Sequence, residues 1–317
     1  MRDITITRGR PWPFLDALAR FMALGNKLLF LNARFEDHEV PAPVEAAIAD
    51  FAAHHELHGL HVRLNEYAPL DDLRRLFFSG RVNILLRLFL GLPMWLALAL
   101  VPGRIFGGDH YNPFTDTVNL YTGHPAVALH ELGHALDFRR RSLPGLYALT
   151  RYIPGVALYQ EYLASKYAID FMRERGMHDD ELRAWRLLFP AYSTYVFGAL
   201  VELFPSVVTK GLLLPAIGIG HLLGISYAMK REVQLDRELV VHKPTVATQW
   251  QEELGQGLAE ISPSTRRGRD TWGIFLGMTA GSALCGAGAV PGAWVGWKLA
   301  RRAEATAAAA PRQLGAD

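Results

Sequence analysis

The spacing of apolar residues changes character several times along this chain, and each change predicts a different element. In "PVEAAIADFAAHHELHGL" apolar side chains recur at Val44, Ala47, Ile48, Phe51 and Ala52, the period of an amphipathic helix. The stretch "DDLRRLFFSGRVNILLR" interleaves arginines with Leu and Phe, as helices at a membrane interface do. Next comes "LFLGLPMWLALALVP", residues 88–102, fifteen uncharged positions that are short for a membrane crossing and contain Pro93. A buried or re-entrant helix fits that run as well as a span does. Thr117, Val118, Asn119, Leu120 and Tyr121 follow the turn signal Asn112-Pro113 and read as a short strand. "HPAVALHELGHALDF" and "EYLASKYAIDF" then return to the helical period, joined through "RRRSLPG" and a connection holding Pro144 and Pro154.

The second half is more apolar. Residues 187–229 carry only Glu202, Lys210 and His221 as acidic or basic groups, and "GLLLPAIGIGHLLGISYAM" after Lys210 runs nineteen residues. A helical pair in or against a membrane is expected, with Glu202 and His221 turned to protein or water because charge in hydrocarbon is costly. Residues 271–297, twenty-seven uncharged positions between two arginine- and lysine-bearing flanks, read as the clearest span. Gly277 and Gly281 are four apart, as are Gly288, Gly292 and Gly296, a small-residue stripe on which a second helix or a second copy of the chain could pack. Pro291 would allow a glycine-lined hairpin instead.

The expected fold is mainly α with a small β-sheet, plus membrane-associated helices. Its parts are an N-terminal helical region (1–82), a core that opens on an apolar helix (83–186), an apolar helix pair (187–230) and an amphipathic connector (231–270). A glycine-rich transmembrane segment (271–302) and a disordered Ala-rich tail (303–317) follow. Composition narrows the function. With half of its 317 residues apolar and 20% charged, the chain is greasy for a soluble enzyme and polar for one made of spans. The net charge of +2 is spread along the sequence and gives nucleic acid no footing. Cys285 is the only cysteine, which excludes an internal disulfide framework and a cysteine-cluster metal site. The opening "MRDITITRGRPWPFLDALARF" lacks the h-region of a secretory signal, so a cytoplasmic or inner-membrane location is expected.

One stretch carries chemistry. "AVALHELGHALDF" holds His130, Glu131 and His134 as His-Glu-x-x-His. On a helix, residues i and i+4 share a face, so the two imidazoles can bind one zinc ion from a single turn. Glu131 then stands beside the open position, where it can act as general base. A hydrolytic site needs a third protein ligand. The candidates are Glu161, His110 and Asp137. Glu161 is preferred, because Ala164 and Ala168 on its side of the second helix would let that helix lie close to the first. Asp137 suits a partner to an imidazole N–H better than a ligand. "HHELH" at 54–58 lacks the spacing of the motif, although His54, His58 and His61 share a helical face (i, i+4, i+7) of a kind that can bind metal. The strand at 117–121, leading into the zinc helix, could offer Val118, Asn119 and Leu120 as an edge for an extended peptide. Tyr111, Tyr162 and Tyr167 are candidates for stabilising an oxyanion, and none is singled out.

His130-Glu131-x-x-His134, followed 27 residues after His134 by Glu161-x-x-Ala164, resembles the gluzincins. Within them it is most similar to the membrane-associated peptidases of the CAAX-endoprotease, HtpX and Oma type, over about residues 110–172. Their second motif is Glu-x-x-Ala-Asp, and its Asp supports a zinc histidine; Ser165 stands there in this chain. The resemblance implies a zinc endopeptidase on a membrane, acting on peptide or protein substrates, with Asp137 or Asp170 taking over the missing support. Two rivals stand beside it: a zinc hydrolase of a lipid-linked amide or ester, and a non-catalytic membrane scaffold with a structural zinc. An apolar tunnel built from 187–229 would favour the lipid substrate.

Overall fold

The structure, a computed structural model, describes residues 3–78, 81–153, 155–203, 212–238, 246–284 and 293–302. It is mainly helical with one small sheet, as the hydrophobic pattern predicts. The first part runs β1 (Thr5–Arg8), α1 (Pro13–Met22), α2 (Leu24–Leu29), α3 (Ala42–His54), β2 (His61–Leu64) and α4 (Pro69–Phe78). The short α5 (Ile84–Leu86) continues through a π-helical turn at Arg87–Gly91 into α6 (Leu92–Leu100), and α7 (Gly103–Phe106) follows. Strands β3 (His110–Asn112) and β4 (Thr117–Leu120) precede α8 (Pro125–Arg139), α9 (Pro144–Leu149), α10 (Val156–Glu174) and α11 (His178–Leu203). Then come α12 (Leu213–Glu238), α13 (Val246–Ile261) and α14 (Arg266–Leu284).

The strands lie in the order β1-β2-β4-β3. The first three pair in parallel, and β3 is antiparallel to β4 with Tyr111 opposite Val118. β4 is therefore an interior strand, bonded on both sides and buried at all four positions. The sequence reading of Val118, Asn119 and Leu120 as a free substrate-binding edge is corrected here, because their backbone groups already serve the sheet. The edge is β3. Residues 1–82 supply β1 and β2, so they are part of the core and not an appendage.

On one face of the sheet, Val62, Leu64, Val118 and Leu120 join Leu129, Leu132 and Leu136 of α8 and Ile48 and Phe51 of α3 in one core cluster. α8 begins on Pro125, whose fixed φ suits a first turn, and His124 caps it by accepting the Ala126 N–H at 3.1 Å. Burial drives the His124 pKa down to about 3, so the ring is neutral and free to accept that bond. An amphipathic helix was expected here. Instead α8 is buried nearly all round, with Ala126–Leu129 and Glu131–Phe138 all inaccessible. α3 ends at His54, His58 lies in the turn that follows and His61 is in β2, so the histidine face proposed for 54–61 does not form.

α11 and α12 form the expected long helical pair, packed where Gly220 meets the Pro190 backbone and Gly224 the Trp185 backbone. His221 turns to protein, its Nε2 within 2.9 Å of the Leu29 carbonyl oxygen, while Glu202 is exposed. Lys210 lies outside the described residues. Among those residues, Leu213–Asp236 is the one helix long and apolar enough to cross a membrane. The expected single span over 271–297 is not a straight rod in its described parts. Gly273 of α14 sits against the Gly296 backbone, and Arg301 donates to Asp270 at 2.8 Å, so residues 293–302 lie beside the first half of α14. The Gly273–Gly296 contact is thus made within the chain. Cys285, Gly288, Pro291, Gly292 and the 303–317 tail lie outside the described residues.

Candidate metal centre

α8 and α10 cross in close contact at Gly133. A Cβ there would lie 2.5 Å from the Ala164 carbonyl oxygen, so only glycine allows this approach. One residue beyond Gly133 is His134, and one turn before Ala164 is Glu161. The contact therefore brings a carboxylate from α10 over two imidazoles of α8. His130 Nε2 is 3.1 Å and His134 Nε2 3.4 Å from the same oxygen, Glu161 Oε2. Tetrahedral ligands about 2.05 Å from a zinc ion stand about 3.3 Å apart, which the two nitrogen–oxygen distances match. Among the described residues, His130, His134 and Glu161 form the one cluster of three or more such side chains able to hold a metal, with ligand atoms within 4.8 Å of one another.

Electrostatics agree with the geometry. Burial works against ionising Glu161, but His134 and His130 outweigh it and hold the carboxyl far below the usual carboxylate range. Burial opposes protonation of His130, while Glu161 and Glu131 more than offset it, leaving its pKa raised. Two rings and a carboxylate that compensate one another in this way offer a negative, two-nitrogen pocket to a dication. The second oxygen of Glu161 accepts from Arg151, so the carboxylate presents Oε2 alone to the histidines.

Ser165 of α10 stands behind the His130 ring. Its Oγ lies 3.1 Å from His130 Nδ1 and orients the ring from behind. The expectation that Asp137 or Asp170 would do this is corrected. Asp137 is tied to Arg141 and to the Tyr147 hydroxyl, and Asp170 pairs with Lys166. His134 Nδ1 is buried without a hydrogen-bond partner. His110 is no ligand either: its Nδ1 is 2.8 Å from the Gly108 carbonyl oxygen, and its Nε2 faces the Asn119 amide at 3.2 Å.

Glu131 sits beside the triad on the inner wall of the cleft. Its Oε2 accepts the backbone N–H of Tyr111, on the edge strand, at 2.9 Å. Two cavities meet at this carboxylate. One, of about 610 Å³, runs along β3 between Met94, Phe114, Phe138 and Tyr152 and also reaches His134. The other, of about 200 Å³, is a mostly apolar chamber walled by Phe30, Phe35, Leu187, Leu188 and Ala191. Asp109, Glu131 and Tyr195 line both. Burial pushes the Asp109 pKa up to about 7, although Thr122 and the Tyr121 N–H donate to its carboxyl. The Tyr195 pKa is raised by burial and by the charges of Glu161 and Glu131, which keep its phenol a donor.

Of the three candidate tyrosines, none is hydrogen-bonded to the triad among the described residues. Tyr111 donates its O–H to Asp116 at 3.0 Å, Tyr162 lines a separate cavity with Ser165 and Lys166, and Tyr167 lies under Arg140. Tyr195 and Arg151 escaped the sequence reading. Tyr195 lies in an apolar stretch that signals only a helix, and Arg151 is one of many arginines in a connection. No protein-family model matches this chain, and neither a curated protein nor a solved structure is similar to it.

Proposed function

We propose that the protein is a zinc-dependent, membrane-associated endopeptidase. The observation that carries the reading is the convergence of His130, His134 and Glu161 as a possible metal site with a further carboxylate, Glu131, beside it. Bound there, zinc would polarise a scissile carbonyl and bring the pKa of water toward neutrality. Glu131 accepts the proton of the attacking water and delivers it to the leaving amine. The Tyr111 amide holds Glu131 against the edge strand, and Tyr195, which lines the same cavity, would donate its phenol to the developing oxyanion. An extended peptide would lie along β3, in the larger cavity.

A structural zinc in a scaffold would have no use for Glu131 at the cleft wall. A lipid-linked amide or ester has one observation in its favour, the apolar chamber formed by residues 187–195 of α11. That chamber, about 200 Å³, is the smaller of the two spaces at Glu131, whereas the larger, about 610 Å³, runs along the edge strand β3 where an extended chain can pair. Peptide is therefore preferred. The apolar helix Leu213–Asp236 supports association with a membrane, which is the proposed location, the inner membrane if the cell is bacterial.

Metal analysis and casein cleavage test the assignment. Purified protein should carry about one zinc per chain, and Glu131→Gln should retain it while hydrolysis falls at least about 100-fold. Glu161→Ala should weaken zinc binding at least about 10-fold. Loss of metal in Glu131→Gln, or full activity in it, would rule out this role for Glu131.

A further inference from the structure

Two neighbouring helices turn large apolar residues away from the body of the protein. On α4, Leu70, Arg74, Phe77 and Phe78 follow helical spacing on the outer side, and Phe78 is 81% exposed. On the apolar helix 84–100, Leu85, Phe89, Leu96 and Leu100 do the same, with Phe89 76% and Leu100 71% exposed. No residue of α6 is buried. An outward stripe of this size is unusual on a monomer surface and marks a binding face.

The opposite side of the same helix packs inward, and Leu90, Pro93 and Met94 line the cleft at Glu131. The helix cannot swing out to cross a bilayer. It is stitched to the body by Trp95 Nε1 to the Pro69 carbonyl and by Tyr67 Oη to the Ala99 carbonyl, both 2.7 Å. Its seventeen residues span about 25 Å, short of the ~30 Å hydrocarbon core. Charge is sorted to match. Asp71 and Asp72 turn inward onto Arg63, each at 2.5 Å, whereas Arg74 is exposed on the outer stripe, and neither stripe carries an acidic residue.

We propose that the outer stripes of α4 and the 84–100 helix dock the protein in the plane of an anionic lipid bilayer, with the cleft opening along its surface. Apolar side chains enter the acyl boundary, and Arg74 meets the headgroups. α12 is not needed for this contact, because His221 and Arg231 hold that helix to the body, the latter through Glu181 at 3.0 Å. That the cleft receives substrate from the membrane surface rests on the hydrolase reading; the docking face does not.

The test is co-sedimentation of the full chain with phosphatidylcholine vesicles, with and without phosphatidylglycerol. The wild type should favour the anionic vesicles. Phe89→Gln/Leu96→Gln should lower partitioning at least about 10-fold, and Arg74→Glu should abolish the anionic preference. Light scattering and far-UV circular dichroism of the variants should show an unchanged, folded species. Partitioning of the double variant equal to wild type would overturn the proposal, since another element would then hold the bilayer. So would a wild-type dimer that the double variant splits, since a second copy would then cover the stripe. Zinc content and casein cleavage are measured in parallel. Their absence would defeat the peptidase assignment while leaving the vesicle result to stand or fall alone.

Discussion

Replacing Gly133 by alanine should loosen the metal centre without touching a ligand. The added Cβ would lie 2.5 Å from the carbonyl oxygen and 2.9 Å from the Cα of Ala164, both backbone atoms that no rotamer change can move. Real Cβ contacts do not fall under 3.0 Å, so α8 and α10 must part by at least 0.5 Å at this point. Metal–ligand distances tolerate about 0.2 Å, and Glu161 is only one turn from the contact. The carboxylate is therefore carried out of its place over His130 and His134. Overpacking of this kind costs about 1–3 kcal/mol, and the helix-propensity gain from glycine to alanine returns about 1. A net loss of about 1 kcal/mol in the metal-free protein is expected, with zinc affinity down about 10-fold or more. Thermal unfolding of the apoprotein and zinc competition with a chelator measure the two effects. Gly198→Ala is the control, because that glycine meets nothing within 4 Å and its replacement should stabilise slightly. A folded Gly133→Ala protein with wild-type zinc affinity would refute the idea that helix proximity sets the ligand geometry.

Two further substitutions probe the surroundings of the triad. Ser165→Ala removes the oxygen behind His130 Nδ1 and should weaken zinc binding about 10-fold, whereas Ser165→Asp should restore it; equal affinity in all three proteins would show that Ser165 orients nothing. Asp109 gives a pH signature. Its pKa in the folded protein, about 7, lies above the ordinary 3.8, so between about pH 4 and pH 7 the native state binds more proton than the unfolded one. Stability should therefore fall as pH rises through that window, by up to about 1.4 kcal/mol per pH unit, and level off above it. Asp109→Asn keeps an acceptor for the Tyr121 and Thr122 N–H groups and should flatten the slope. Denaturant titrations at pH 5, 6 and 7 decide this, an unchanged slope in the variant counting against it.

The parts of the site that were legible in the sequence are those fixed by local geometry. His130 and His134 are one turn apart, which places them on one helix face whatever the rest of the chain does. Glu161 was readable because Ala164 and Ala168 announced a close helix contact, and Gly133 completes it from the other side. Non-local pairing is what hid the edge strand. Nothing near Thr117–Leu120 reveals that β2, some 50 residues earlier, covers its second side. Asp137 misled for a related reason: helical spacing puts it on the histidine face, but Tyr147 and Arg141, brought in by α9 and the turn before it, claim its carboxylate.

The amphipathic reading of α8 failed most instructively. Its polar positions, His130, Glu131, His134 and Asp137, were read as a metal site on one face of an amphipathic helix, and three of the four are buried with His130 nearly so. Burying four ionisable groups on one helix is expensive unless each finds a partner. The partners come from the edge strand for Glu131, from α10 for both histidines and from α9 for Asp137. His134 Nδ1 alone lacks one. A helix that only had to fill a core would replace these residues with apolar ones and become more stable. Held by the edge strand, α10 and α9, these four groups are the arrangement that the proposed hydrolytic centre would require.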